Sequence, residues 1–235
     1  MKKIIVFFLL LSVCFNLSAQ NHIPDFLDEP GRVLKINKKA VITDFSLAFP
    51  MHFGWSVLTG TDASFPGINI GKSFDYALDI CSFSFYFGNG YNNTFGISFM
   101  MDFVDFCFAD GYTTIERIYD TYVPGPVFGT DGKKSKFHGS YIGIPLRYSY
   151  DIGDFDVYAS FTAELLLDGY NKVKSPEYRT YITPCFNQFR GVIEAGISYH
   201  HIGMFVNYSA TPLFSSAFPL GHNIKPLTFG IILGL

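Results

Sequence analysis

Charge is scarce in this sequence. Asp, Glu, Lys and Arg make up 16% of the 235 residues, against roughly 25% in soluble domains. So few charged side chains cannot clothe the water-facing surface of a protein this long. The net charge of −3 and the lack of basic runs interleaved with aromatics argue against a nucleic-acid partner. Cysteine is scarce too: the chain has four, none in a metal-ligand spacing. Beyond the N-terminus there is no run of about 18 apolar residues, so the body of the chain offers no transmembrane helix.

The first residues, "MKKIIVFFLLLSVCFNLSAQ", carry Lys2 and Lys3, an apolar stretch from Ile4 to Phe15, and the small residues Ser18 and Ala19. That is the pattern of a secretory signal peptide over 1–19, with cleavage expected near Ala19. Residues 20–42 are polar and contain Pro24 and Pro30, and they read as an irregular leader. Cleavage removes Cys14 and leaves Cys81, Cys107 and Cys185, an odd number. Unpaired small apolar side chains are expected, with a Cys107–Cys185 bridge as the alternative.

What the chain has in abundance is aromatic and aliphatic bulk, placed with period two. Aromatics make up 18% of the residues, 27 of them Phe. In "FSLAFPMHFGWSV", residues 45–57, the odd positions are large and apolar, whereas Ser46, Ala48, Pro50, His52, Gly54 and Ser56 are small or polar. Such alternation is a strand with two unlike faces. The same pattern returns seven times, over 68–87, 94–108, 141–150, 157–167, 189–199, 204–210 and 227–235. A change of phase at Cys81–Ser82 predicts a β-bulge, and a second change is read between Phe103 and Phe106. Pro50 and Pro145 each remove a ladder donor, so bulges are expected beside them.

Eight strands are therefore predicted, joined alternately by long loops (59–67, 109–138, 169–188, 213–224) and short turns (88–93, "DIGD", "HIG"). A soluble barrel or sandwich would turn the apolar face inward, and eight stripes of Phe, Leu and Ile would overfill it. With the apolar face outward, the small residues fit the narrow lumen of an eight-stranded barrel. Residues 43–235 thus read as an eight-stranded antiparallel transmembrane β-barrel with short periplasmic turns and longer extracellular loops. Trp55 and Tyr112 near the loops, and Tyr91, Tyr148, Tyr150 and Tyr199 near the short turns, are the candidate interface aromatics.

At "YIGIPLRYSYDIGDFDVYASFTAELLLDGYNK", residues 141–172, the chain resembles the outer-membrane β-barrel domain family, often labelled porin-family or PorT-like. The resemblance implies a small OmpA-type barrel in the outer membrane of a Gram-negative bacterium. It also implies periplasmic chaperones, the barrel-assembly machinery and outer-membrane lipid, including lipopolysaccharide, as partners.

The inward face collects His52, Asp75, Asp79, Asp102, Arg147, Glu164, Arg190 and Glu194. Charges in a narrow lumen must be paired or wetted. A plug is expected in which Arg147 and Arg190 bridge Asp79, Asp102, Glu164 and Glu194; a cation-preferring path for small solutes is the alternative. A lipid-modifying enzyme is the second alternative. His200, His201, Ser209, Ser215, Ser216 and His222 are the candidates for it, but no base and orienting carboxylate accompany them at a recognisable spacing. No catalytic, cofactor or metal residue is assigned. The expected role is structural or interactive, with surface glycolipid or a protein partner met through loops 109–138, with Lys133, Lys134 and Lys136, and 169–188.

Overall fold

A strand that is apolar on one face along its whole length can meet its backbone needs in lipid only within a closed sheet. The computed structural model, which describes residues 34–36, 39–46, 49–88, 91–127, 134–174 and 177–234, is such a sheet. The signal segment, most of the leader, Lys133 and Leu235 lie outside the described residues.

Among the described residues the strands are β1 (Leu34–Ile36), β2 (Lys39–Ser46), β3 (Met51–Thr59), β4 (Phe74–Phe87), β5 (Asn93–Cys107), β6 (Thr113–Ile118) and β7 (Thr121–Pro126). They continue as β8 (Lys134–Ile152), β9 (Phe155–Lys174), β10 (Tyr178–Tyr181), β11 (Phe189–Tyr199), β12 (Ile202–Ser209) and β13 (Lys225–Leu233). Eight of them close a ring in the order β3–β4–β5–β8–β9–β11–β12–β13, with β13 returning to β3 and every pairing antiparallel. The others extend this ring. β2 pairs with Ser82–Tyr86 of β4 and prolongs β3, β1 pairs with β2, and β10 pairs with β9.

The outward face is the greasy one. Phe53, Trp55, Leu146, Phe161, Ile193, Met204 and Phe229 are all at least 40% exposed. Outward apolar residues run from Ile152 to Ile142 on β8 and from Phe155 to Leu165 on β9. Each stripe covers about 25 Å at the usual strand tilt, the height of a membrane barrel's apolar band. Water offers that surface no favourable contact, so the protein is an integral membrane barrel.

Several local expectations are corrected. The opening strand is two strands, β2 and β3. The ladder jumps between Asp79 and Cys81 opposite the gap, where Asp79 N–H donates to Pro50 O at 3.0 Å, so Pro50 sits at the predicted bulge. Pro145 has no bulge on its own strand; instead, pairing with β5 lapses opposite Ile144 and Pro145 between the pairs Ile97↔Leu146 and Met100↔Gly143. The phase change read before Phe106 does not occur. β5 keeps one register with β8 throughout, and Val104 and Phe106 point inward like Asp102, fully buried. Apolar residues facing the lumen look, in the sequence, like a change of face.

The long loops are also more ordered than expected. Loop 109–138 contains the β6–β7 hairpin, and β8 already begins at Lys134. Loop 169–188 begins with the end of β9 and holds β10 and a 3₁₀ turn at Thr183–Cys185. The strand expected from Ile68 starts at Phe74, after a 3₁₀ turn at Ile70–Lys72. Lys39–Ile42, placed in the irregular leader, already lie in β2.

Candidate functional site

Alternation puts the even residues of β3, β5, β11 and β13, the odd residues of β8, and on β9 the even residues up to Leu166 and the odd ones beyond Leu167 into the lumen, which fixes the positions of its polar groups. Two clusters stand one above the other. In the lower, His52 lies between Glu194 (Nδ1–Oε2 3.5 Å) and Asp79 (Nε2–Oδ2 3.9 Å). Arg147 approaches Glu194 at 3.8 Å, and Tyr158 donates its hydroxyl to Glu194 Oε1 at 3.0 Å. Gly196 makes room for the Tyr158 ring, because a Cβ there would stand 2.5 Å from it. In the upper cluster Arg190 reaches Glu164 through Nε at 2.5 Å and Asp102 through Nη2, with its guanidinium 4.3 Å above the Tyr141 ring. Asp75 beside them accepts from Thr228 at 3.0 Å, and Thr228 shares a 2.7 Å hydrogen bond with Ser56.

The eight charged or titratable residues read on the inward face all lie in the lumen, with His52 rather than an arginine meeting Asp79. Between the clusters lies a cavity of only about 20 Å³, lined by His52, Asp79, Arg147, Glu164 and Glu194 among others. Below it a vestibule of about 360 Å³ opens towards the short turns, lined by Asp44, Asp151, Asp156, serines and His200.

Above the Arg190 cluster the lumen turns apolar, which the reading of a uniformly lean interior missed. Val104, Phe106, Phe137, Tyr141 and Leu166 from the barrel wall pack with loop residues Phe65, Ile115, Ile182, Phe186, Phe214 and Phe218. Ring centroids stand 5.2 Å apart for Phe106–Phe137, 5.4 Å for Phe137–Phe214 and 4.8 Å for Phe214–Phe218. Asn171 on β9 donates to Ile115 O of the hairpin at 2.5 Å and so ties the hairpin down. The long loops fold inward as a cap. Cys107 and Cys185 are buried thiols with no bridge between them, and burial pushes the Cys185 thiol well above its usual pKa.

The aromatics singled out in the sequence divide between the two ends. Tyr148, Tyr150 and Tyr199 are 43–48% exposed near the short turns, where Tyr148 donates to Asn93 Oδ1 at 2.6 Å. Trp55 stands on the other half, against Phe53, Phe74 and Phe229.

Outside the barrel, just past the last aliphatic residues, lies a cluster the sequence did not suggest. Asp105 on β5 is paired with His138 on β8, and Ser140 follows on the same face. His138 Nδ1 is 2.6 Å from Asp105 Oδ1, and His138 Nε2 is 2.8 Å from Ser140 Oγ. Lys136 Nζ holds the other oxygen, Asp105 Oδ2, at 2.5 Å. The His138 ring is packed between Tyr170 (4.6 Å) and Phe103 (6.2 Å). The β8–β9 register slips between Ser140 and Tyr141, leaving Leu167 as the extra residue. Asp168, directly across from Ser140, holds Arg179 at 3.4 Å. Further out on the same face Lys136 opposes Lys172 and Lys134 opposes Lys174, around a cleft of about 330 Å³. Glu177 pairs with Lys172 at 2.5 Å, which raises the lysine's pKa and lowers that of the carboxyl.

The only local signal for this cluster was "FHGS" at 137–140, a His and a Ser two apart on one strand face. His138 ends the loop expected over 109–138, and Asp105 joins it only through the β5–β8 register. Three of the other candidate residues bond elsewhere. Ser209 bonds Thr211 O, Ser215 bonds Pro184 O, and His222 Nδ1 lies 2.6 Å from Pro219 O.

No protein-family model and no curated protein sequence matches this chain. Among solved structures, the chain is similar to Ail, the attachment invasion locus protein of Yersinia pestis: TM-score 0.38, 10% identity, covering 80% of this chain and 95% of that one. Neisserial surface protein A gives TM-score 0.38 and 10% identity over 82% of this chain and 99% of that one. The outer-membrane protease OmpT of Escherichia coli gives TM-score 0.34 and 14% identity over 84% and 82%.

Proposed function

We propose that this chain is an outer-membrane barrel of a Gram-negative bacterium that does not conduct, and that its role is played on its outer surface and loops. The observation that carries this reading is the double closure of the lumen, by the Arg190–Asp102–Glu164 cluster and by the apolar cap above it. In the orientation usual for such barrels the short turns face the periplasm and the cap faces outward. The barrel-assembly machinery and periplasmic chaperones are then its transit partners and lipopolysaccharide its neighbour. The stretch 141–172 supports a PorT-like affiliation through its resemblance alone.

A narrow cation path is the second reading. It is favoured by the five lumen carboxylates Asp75, Asp79, Asp102, Glu164 and Glu194, which outnumber Arg147 and Arg190, and by the acid-lined vestibule. Planar-bilayer recording separates the two. The sealed barrel gives a heat-dependent shift in gel mobility and no steady current. Steady cation-selective current from the wild-type protein would overturn it in favour of the path.

A further inference from the structure

We propose that Asp105, His138 and Ser140 form a hydrolytic triad on the lipid-facing rim of the barrel, acting on fatty-acyl esters of phosphate-bearing lipids. The proposal rests on the membrane reading above, since it needs this face in lipid.

The first support is geometric. A serine hydroxyl becomes a nucleophile when an imidazole nitrogen accepts its hydrogen bond and a carboxylate fixes the other ring nitrogen as the proton carrier. Both contacts are present, at 2.8 and 2.6 Å, and they run in the required order. The ring cannot turn away, because Tyr170 and Phe103 pack against it and leave His138 5% exposed. Asp105 is fixed in turn by Lys136. Ser140 itself stays only half-buried, and the slip in the ladder beside it is the kind of bulge that re-aims a side chain next to a reactive site.

The second support is position. Ser140 is the first outward residue of β8 beyond Ile142, where the aliphatic stripe ends. In a bilayer the ester linkages lie at that boundary, between acyl chain and headgroup. The third is charge. Lys136 and Lys172 stand two outward steps beyond Ser140, and Lys134 and Lys174 three, each step about 7 Å along the strand. Like charges placed directly opposite each other across strands are unfavourable on their own. Among the described residues neither Lys134 nor Lys174 has an ion-pair partner, so the row offers cations on the headgroup side of Ser140.

The step balances without a cofactor. Ser140 Oγ attacks the ester carbonyl carbon as its proton passes to His138 Nε2. The C–O bond to the alcohol breaks and His138 returns the proton to the leaving oxygen. Water then gives a proton to His138, attacks acyl-Ser140 and releases the fatty acid, and the proton goes back to Ser140. Ser140 and His138 are the catalytic residues, whereas Asp105 is a positioning residue.

The test uses the full chain in detergent micelles, with the heat-dependent gel shift as the fold check. A fluorophosphonate probe is expected to label Ser140, mapped by mass spectrometry, and fatty acid is expected to be released from dioleoylphosphatidylglycerol or from lipid A; which of them is cut identifies the lipid. Ser140→Ala and His138→Ala should each lower the rate by about 10³-fold or more, with the double variant no worse than either single. Asp105→Asn should lower kcat by about 10²–10⁴-fold with KM unchanged, and Asp105→Glu should recover part of it. Folded wild-type protein that is neither labelled nor active on either lipid would overturn the triad while leaving the sealed barrel untouched. Labelling or hydrolysis that persists in Ser140→Ala would overturn it too.

Discussion

Arg190→Met is expected to cost about 3–5 kcal/mol of barrel stability, the largest effect of any single lumen substitution. Arg190 is 4% exposed and holds two carboxylates, Asp102 and Glu164, which are 2% and 3% exposed. Removing the cation leaves both acids deep in the protein with nothing to offset their lost hydration. Burying the methionine gains back little, because the site was shaped for a planar guanidinium over Tyr141. The triple replacement Arg190→Met, Asp102→Asn, Glu164→Gln removes the charges together, so it should recover most of the loss. Urea titration followed by the fluorescence of Trp55 reads both variants. A cost below about 0.5 kcal/mol for Arg190→Met would mean that water already reaches this level, and would favour the conducting reading.

The second large effect lies on the outside. Leu146→Arg near the middle of the β8 stripe should cost about 2–4 kcal/mol in a bilayer, and Ile152→Arg at its edge about 0–1 kcal/mol. Both side chains are exposed, at 42% and 56%, so a water-facing surface would accept either change for about half a kcal/mol. Only lipid makes the cost depend on depth. Equilibrium folding into vesicles compares the two variants directly, and equal small costs would contradict the membrane assignment.

Much of the barrel was legible in the sequence because period two is a local property. The lumen set His52, Asp79, Asp102, Arg147, Glu164, Arg190 and Glu194 could be read from alternation alone, since each residue's face follows from its neighbours'. Which charges meet could not be read that way. His52 takes Asp79 and shares Glu194 with Arg147 because of strand stagger around the ring, which alternation does not encode. The cap was missed for a different reason. Phe106 and Phe137 carry the same residue type as the lipid face but point inward, and only the loops that cover them make that placement favourable. The Asp105–His138–Ser140 cluster spans two strands and starts in a segment read as loop, so it became visible only with the β5–β8 register.

Both the sealed barrel and the rim cluster require the outward face to lie in lipid, and Trp55, the single tryptophan of the chain, reports on it directly. It is 40% exposed on the outer wall, stacked near Phe229 with a centroid separation of 6.3 Å. The decisive measurement is its emission in vesicles whose acyl chains carry bromine, against the same vesicles without bromine. Strong quenching by the brominated lipid and little by aqueous iodide is the expected result. Emission indifferent to brominated lipid would place Trp55 out of contact with acyl chains and contradict the barrel's orientation in the membrane.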